Sequence, residues 1–187
     1  VQSLADIPYE DVISTHSVNT FVPLILVRDL LPLMANPEKS SSHPSSHSSS
    51  SPKSTPNPPA GYIINVFSRE GIFETSRGNR HKAGKHVHTN MSKAALNMIT
   101  ETEAGTAWTR RRVAMNTVDP GYMSAAPELE DAHGGVLPIG WEDGAGRVLW
   151  PVAIGEGSGG SCDGGAVWGR FLKHYGAIRV DPGLGRG

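Results

Sequence analysis

The chain has 187 residues, with 17 Lys plus Arg against 18 Asp plus Glu and a formal net charge of -1. That length supports one domain with a real core, and a charge so near zero exerts no global pull toward nucleic acid or membrane. The single cysteine, Cys162, excludes an internal disulfide framework; its Gly, Ser and Asp neighbours include no cation to lower its pKa, so it reads as a loop cysteine in a reducing compartment.

Residues 1–17 open with a turn-like segment. Ile7-Pro8-Tyr9-Glu10-Asp11 sets a proline and two acids where a helix begins, which suits the positive end of a helix. Residues 18–34 then predict a long helix: Phe21, Val22, Ile25, Leu26, Asp29 and Leu33 fall at helical spacing, and apolar residues also occupy much of the other face. A helix apolar all round is buried on both sides, here by a sheet and by a partner helix, as from a second subunit. Pro23 lies near its first turn and Pro32 marks its end. Pro23, Arg28, Asp29 and Pro32 break the apolar run, so no stretch reaches the roughly 18 residues that span a bilayer. The chain starts at Val1 with no charged and apolar leader, so the expectation is a start cut away or an excerpt of a longer protein.

Residues 36–59 form a low-complexity insert, with Ser40-Ser41-Ser42, then Ser48 to Ser51, and six prolines. Such a segment buries too little apolar surface to offset its ordering entropy, and it reads as a disordered surface loop. His43 and His47 are four apart, but that context does not make a metal site. Residues 62–67, Tyr-Ile-Ile-Asn-Val-Phe, have the content of a central strand, and Gly71 permits a tight turn after it. Residues 77–86 (with Arg77, Arg80, Lys82 and Lys85) lack interleaved aromatics and read as a solvated loop rather than a nucleic-acid patch.

Met91, Ala94, Ala95 and Met98 make an apolar stripe at i, i+3, i+4 and i+7 over a helix at 88–103 that Gly105 ends. Arg110-Arg111-Arg112 then precedes a second strand at 113–118, as a solvated edge. Strand, helix, strand, with polar residues at both strand ends, is the unit of an open parallel sheet, which binds ligands beyond the carboxyl ends of its strands. Residues 141–152 predict a helix weakened by Gly144 and Gly146. Residues 155–165 are glycine-rich without the Lys-Ser/Thr ending of a phosphate loop. Residues 166–172 predict a last strand, and 181–187 a loose tail.

Four stretches, in order across roughly residues 9–175, resemble the short-chain dehydrogenase/reductase family. They are Ser17-Val18-Asn19 in the long helix, Ile64-Asn65-Val66-Phe67-Ser68-Arg69-Glu70-Gly71, Ser92-Lys93-Ala94-Ala95, and Val118-Asp119-Pro120-Gly121. The resemblance implies a partial doubly wound, Rossmann-like α/β sheet across 1–187, the C-terminal part of the domain, lacking the first strands and the phosphate-binding glycine motif they carry. It implies an oxidoreductase of carbonyl or alcohol substrates using NAD or NADP, with Asn19, Ser68, Thr89 and Lys93 at catalytic positions and Lys93, Pro120, Gly121 and Tyr122 on the cofactor. Two departures stand out. The glycine grip on the pyrophosphate is missing, and Thr89 occupies the place of the family's proton-donating tyrosine. Threonine is a far weaker acid and shorter, so His86, His88 or Tyr122 is the expected substitute donor. His88-Thr89-Asn90-Met91 resembles a divergent subgroup that carries the same change.

The expected partners are a small-molecule substrate and a second copy of the chain, as a homodimer or homotetramer through helices 18–34 and 88–103. No nucleic acid or membrane is expected, and the expected location is cytoplasmic. Without the dinucleotide grip and the tyrosine, the isolated chain is expected to turn over negligibly. The alternative is a non-catalytic remnant acting through helix-mediated association. Metal-dependent hydrolysis by His81, His86 and His88 ranks last, because their spacing suits no helix face.

Overall fold

The computed structural model describes residues 3–34, 58–73, 82–123, 138–156 and 166–180. The insert predicted at 36–59 (Pro58 and Pro59 apart), the start of the 77–86 loop, Cys162, most of 155–165 and the tail at 181–187 lie outside these residues.

Two parallel crossovers dominate. β1 (Gly61–Val66) pairs with β2 (Val113–Asp119), Ile63 opposite Met115, and β2 pairs with β3 (Phe171–Lys173), Val118 opposite Leu172. α3 (Val87–Arg111) connects the first pair and α4 (Trp141–Glu156) the second. β4 (Gly176–Ile178) returns antiparallel to β3, giving a four-stranded sheet in the order β1-β2-β3-β4. The expected parallel open sheet is therefore present. β2 is buried at every residue and is the central strand. The 62–67 segment, predicted as central, forms an edge strand instead: among the described residues nothing pairs with the other side of β1. β-branched content reports a strand that packs on a face, not how many neighbours it has.

Helices cover both faces. Ile63 packs into a cluster with Val27, Leu96, Ile99, Ala104, Val113 and Met115 on the side of α2 and α3. The adjacent Tyr62 points the other way, where its hydroxyl donates to Glu156 Oε1 at 3.0 Å and a Cβ on Gly155 would strike its ring. A hydrogen-bonded line of polar groups joins the layers: Asn65 Nδ2 and Thr117 Oγ1 both donate to Thr100 Oγ1 on α3, at 2.8 and 2.9 Å.

The N-terminal helix departs from expectation. It begins after Pro8 as α1 (Tyr9–His16), passes through a π-helical turn (Ser17–Phe21) and continues as α2 (Val22–Met34). Pro23 is thus interior, and the wider turn before it accommodates the missing N–H. Pro32 sits inside the helix, not at its end. The continuous span Tyr9–Met34 is long and apolar enough to cross a membrane by length and composition alone, and little of it is buried. The run expected to be broken by Pro23, Arg28, Asp29 and Pro32 is helical throughout, with Arg28 and Asp29 paired at 2.7 Å.

α3 also outlasts its prediction. It runs through Gly105 to Arg111 and closes on Arg112, whose N–H reaches the carbonyls of Ala107 and Trp108. A helical glycine costs about 1 kcal/mol. Burial of Ala104 and Ala107 against the sheet offsets that, as does Trp108, which stacks on Trp168 at 5.5 Å with the Arg112 guanidinium 3.9 Å from its ring. The strand predicted at 166–172 shrinks to Phe171–Lys173 because the Asn116 side chain takes up the Val167 carbonyl and the Arg170 N–H, while Gly169 turns at φ +64. The helix predicted at 141–152 forms and extends to Glu156.

Candidate functional site

The two parallel strands end together, Val66 opposite Val118, and Ser68 and Pro120 follow those ends. Ser68 follows β1 and opens a short 3-10 turn, Arg69–Gly71. Its hydroxyl donates to Glu70 Oε2 at 2.9 Å. The turn lies hard against α3: a Cβ on Gly71 would come within 2.5 Å of the Lys93 carbonyl carbon, the Ala94 nitrogen and the Phe67 ring. Lys82 fastens it from outside by donating to the carbonyls of Glu70 and Ile72. The loop carrying Ser68 and the turn of α3 carrying Lys93 are thus in contact.

Asn19 sits in the π-helical turn. Its Nδ2 donates to Ser92 Oγ at 3.2 Å, and Thr20 Oγ1 donates to the Ser92 carbonyl at 3.3 Å. Ser92 is fully buried and donates in turn to the Thr89 carbonyl at 2.9 Å. The sequence motif Ser92-Lys93-Ala94-Ala95 gives Ser92 no role of its own. A small polar residue beside the lysine, facing a neighbouring helix, was the available signal. Asn19 and Lys93 share a cleft of about 460 Å³ along β1, with Tyr62, Ile64, Asn65, Val27 and Leu96 also in its walls. Ser68, Thr89, Pro120, Gly121 and Tyr122 do not line it. The Lys93 ammonium makes no hydrogen bond or ion pair among the described residues. Of the substitute proton donors, His88 carries a buried Nδ1 with no hydrogen-bond partner there. Tyr122 follows the bend, its carbonyl accepting the Ile139 N–H.

β2 ends differently. Asp119 is buried; its Oδ2 accepts from Lys173, opposite on β3, at 2.7 Å, and its Oδ1 accepts the Gly121 N–H at 2.8 Å. Gly121 has φ +100, which its lack of a Cβ permits. Arg147 of α4 donates to the Pro120 carbonyl at 3.1 Å and grips Asp143 through Nε and Nη2 at 3.0 and 2.7 Å. Tyr175 donates to Asp143 at 2.9 Å. The Arg147 guanidinium, then the Tyr175 hydroxyl, hold the Asp143 carboxyl below the usual carboxylate range, and the same carboxylate pushes the Tyr175 phenol up. Gly140, Gly144 and Gly146 open α4 at a spacing resembling a phosphate-binding glycine motif. Glu142 and Asp143 in its first turn oppose an anion there, however, and Gly144 serves packing, since a Cβ would meet Met123 Sδ at 2.6 Å. Among the described residues no three of His, Cys, Asp and Glu cluster as metal ligands.

Among the described residues, the Lys93 ammonium without a partner and the Asn19 amide, bonded to Ser92, share the cleft, and the Pro120-Gly121 bend lies outside it. No family model matches the sequence. One curated relative, the uncharacterized protein R665 of Acanthamoeba polyphaga mimivirus, is 34% identical over 104 residues, 49% of this chain and 20% of that protein. Solved structures are similar over nearly the whole chain. They include the NADPH-bound carbonyl reductase from chicken fatty liver (TM-score 0.59, 18% identity, 96% of this chain and 60% of that one). A candidate oxidoreductase of Escherichia coli K-12 follows (0.55, 16%, 92% and 56%), as does a candidate short-chain alcohol dehydrogenase of Burkholderia multivorans (0.52, 18%, 96% and 57%). The chain spans 20% of its curated relative and less than two thirds of each of these structures, and its fold is the Rossmann-like α/β fold they share.

Proposed function

We propose that the chain is part of an NAD(P)-dependent oxidoreductase acting on a small carbonyl or alcohol substrate. The observation that carries the reading is the contact between the Ser68 turn and the Lys93 turn of α3 at the carboxyl ends of two parallel strands. Asn19 is tied to the same helix through Ser92. A bound nicotinamide supplies or accepts the hydride. Lys93, Pro120, Gly121 and Tyr122 would hold its nicotinamide half, Lys93 at the ribose. Ser68 turns from Glu70 to donate to the substrate oxygen, where charge develops. Thr89 is too weak an acid to supply the proton, and His88, with its unsatisfied ring nitrogen, is the first donor to test. The proposal places the protein in the cytoplasm with no nucleic-acid or membrane partner.

The test is binding rather than turnover. Nicotinamide mononucleotide asks nothing of a pyrophosphate grip, so the folded chain should bind it, and NADPH or NADH, saturably by calorimetry or ligand-observed NMR. Lys93→Met should abolish this. A folded wild-type chain that binds none of the three would sink the reading.

One observation favours a second reading, association without catalysis. α2 exposes Val22, Leu24, Ile25, Leu26, Leu30 and Leu33, and α3 exposes Met91 and Met98. Isolated apolar surface of this extent marks a contact surface. In the oxidoreductase reading it is the homodimer or homotetramer interface through 18–34 and 88–103. Sedimentation at several concentrations, with and without anionic lipid vesicles, separates self-association from a monomer and from membrane binding.

A further inference from the structure

We infer that the β3–β4 turn is a positioning clamp that locks the Pro120–Gly121 peptide in one orientation, Lys173 acting through Asp119, and His174 and Tyr175 acting through Arg147. The inference rests on the reading above in one respect: that this bend meets the dinucleotide.

The Pro120 carbonyl and the Gly121 N–H are the two ends of a single peptide group. Arg147 Nη1 donates to the first at 3.1 Å, and Asp119 Oδ1 accepts from the second at 2.8 Å. A Pro-Gly unit interconverts between type I and type II turns by flipping this peptide, and φ +100 at Gly121 has the type II sign. A flip would break both bonds at once. The two holders are themselves held by one short hairpin. Lys173, the last residue of β3, pairs with Asp119. The next two residues form the turn, and their side chains reach the Arg147 group: Tyr175 donates to Asp143 at 2.9 Å, and His174 Nδ1 lies 3.1 Å from Arg147 Nη1.

The turn is built for this purpose at the expense of its own comfort. A two-residue hairpin turn with positive φ at both positions calls for Asn-Gly. Here it is His174 at φ +50 and Tyr175 at φ +60. Backbone strain in bulky residues persists where contacts over-determine it, and the contacts of these two are the ones that grip Arg147 and Asp143.

The decisive variants are Arg147→Lys, which keeps the charge but cannot serve Asp143 and Pro120 together, and His174→Asn with Tyr175→Gly, which relieves the turn and removes the grip. We expect the Gly121 amide to exchange at least tenfold faster in Arg147→Lys by hydrogen-exchange NMR, and at least threefold faster in the double variant. The double variant should also unfold at a temperature no lower than wild type, an outcome a merely structural turn would not give. NADPH affinity should fall in the same order. Unchanged Gly121 exchange in both variants overturns the clamp. Faster exchange with unchanged NADPH affinity overturns its positioning role. A wild-type chain that binds no nicotinamide nucleotide overturns the functional reading, and Gly121 exchange then judges the clamp alone.

Discussion

β1 and β2 run side by side in register, Val66 opposite Val118, yet their carboxyl ends are built on opposite plans. Beyond β2 the polar groups of the bend are spoken for: Asp119 holds Lys173 and Gly121, and Arg147 holds Pro120 and Asp143. Past β1, Ser68 is bonded to Glu70, but on α3 beside that strand the Lys93 ammonium and the buried His88 Nδ1 and Asn97 Oδ1 have no partners among the described residues. Buried polar groups are ordinarily satisfied, so those left unsatisfied call for a water, an ion or a ligand. One strand end is a fixture, and the helix beside the other carries polar groups left without partners among the described residues.

The two lysines give this contrast its largest test. Lys173→Met strands the Asp119 carboxylate, whose side chain is only 3% exposed, and should cost about 3–5 kcal/mol in urea unfolding. Lys93→Met removes a charge that nothing in the described protein answers. It should change stability by less than about 0.5 kcal/mol, while abolishing nicotinamide-nucleotide binding. Equal effects of the two on stability would erase the distinction. Between them in size lies Gly71→Ala. The added methyl group has only the α3 backbone and the Phe67 ring to meet, so about 1–3 kcal/mol of overpacking strain is expected, together with weaker ligand binding as Ser68 is pushed from Lys93.

The smallest effect is in the acid limb of stability. Asp143 is held below its ordinary range by Arg147 and Tyr175. Its contribution is therefore complete above an unfolded-chain pKa of about 3.9 and is lost as pH falls from there through the depressed value. Asp143→Asn should flatten that part of a plot of urea midpoint against pH and leave the region near neutrality with the same slope. A wild-type curve already flat below pH of about 4 would show that the pair with Arg147 is too exposed to matter.

Which elements were readable follows from how local their causes are. The parallel β1–α3–β2 unit, the start of α1 after Pro8 and the presence of α4 were visible because hydrophobic period, caps and prolines act within a few residues. Of the site pattern Asn19, Ser68, Lys93 and Pro120-Gly121, the fold brings Asn19 and Lys93 into one cleft and sets the Ser68 turn against the Lys93 turn. What the chain alone could not decide was where opposing local signals are overruled from a distance. Gly105 says stop, but the sheet beneath Ala104 and Ala107 keeps α3 going. Pro23 and Pro32 say break, but the π-helical turn absorbs the first. Residues 166–170 look like a strand, but the Asn116 side chain on β2 takes the Val167 carbonyl and the Arg170 N–H. The same holds at the site. Sequence supplied the Pro-Gly bend, but only tertiary structure brought Arg147 and Lys173, from segments 27 and 54 residues away from Pro120 and Asp119 respectively, onto it. Side-chain hydrogen bonds between elements distant in the chain leave no periodic trace, and they decide which polar groups are tied up and which are left for a ligand.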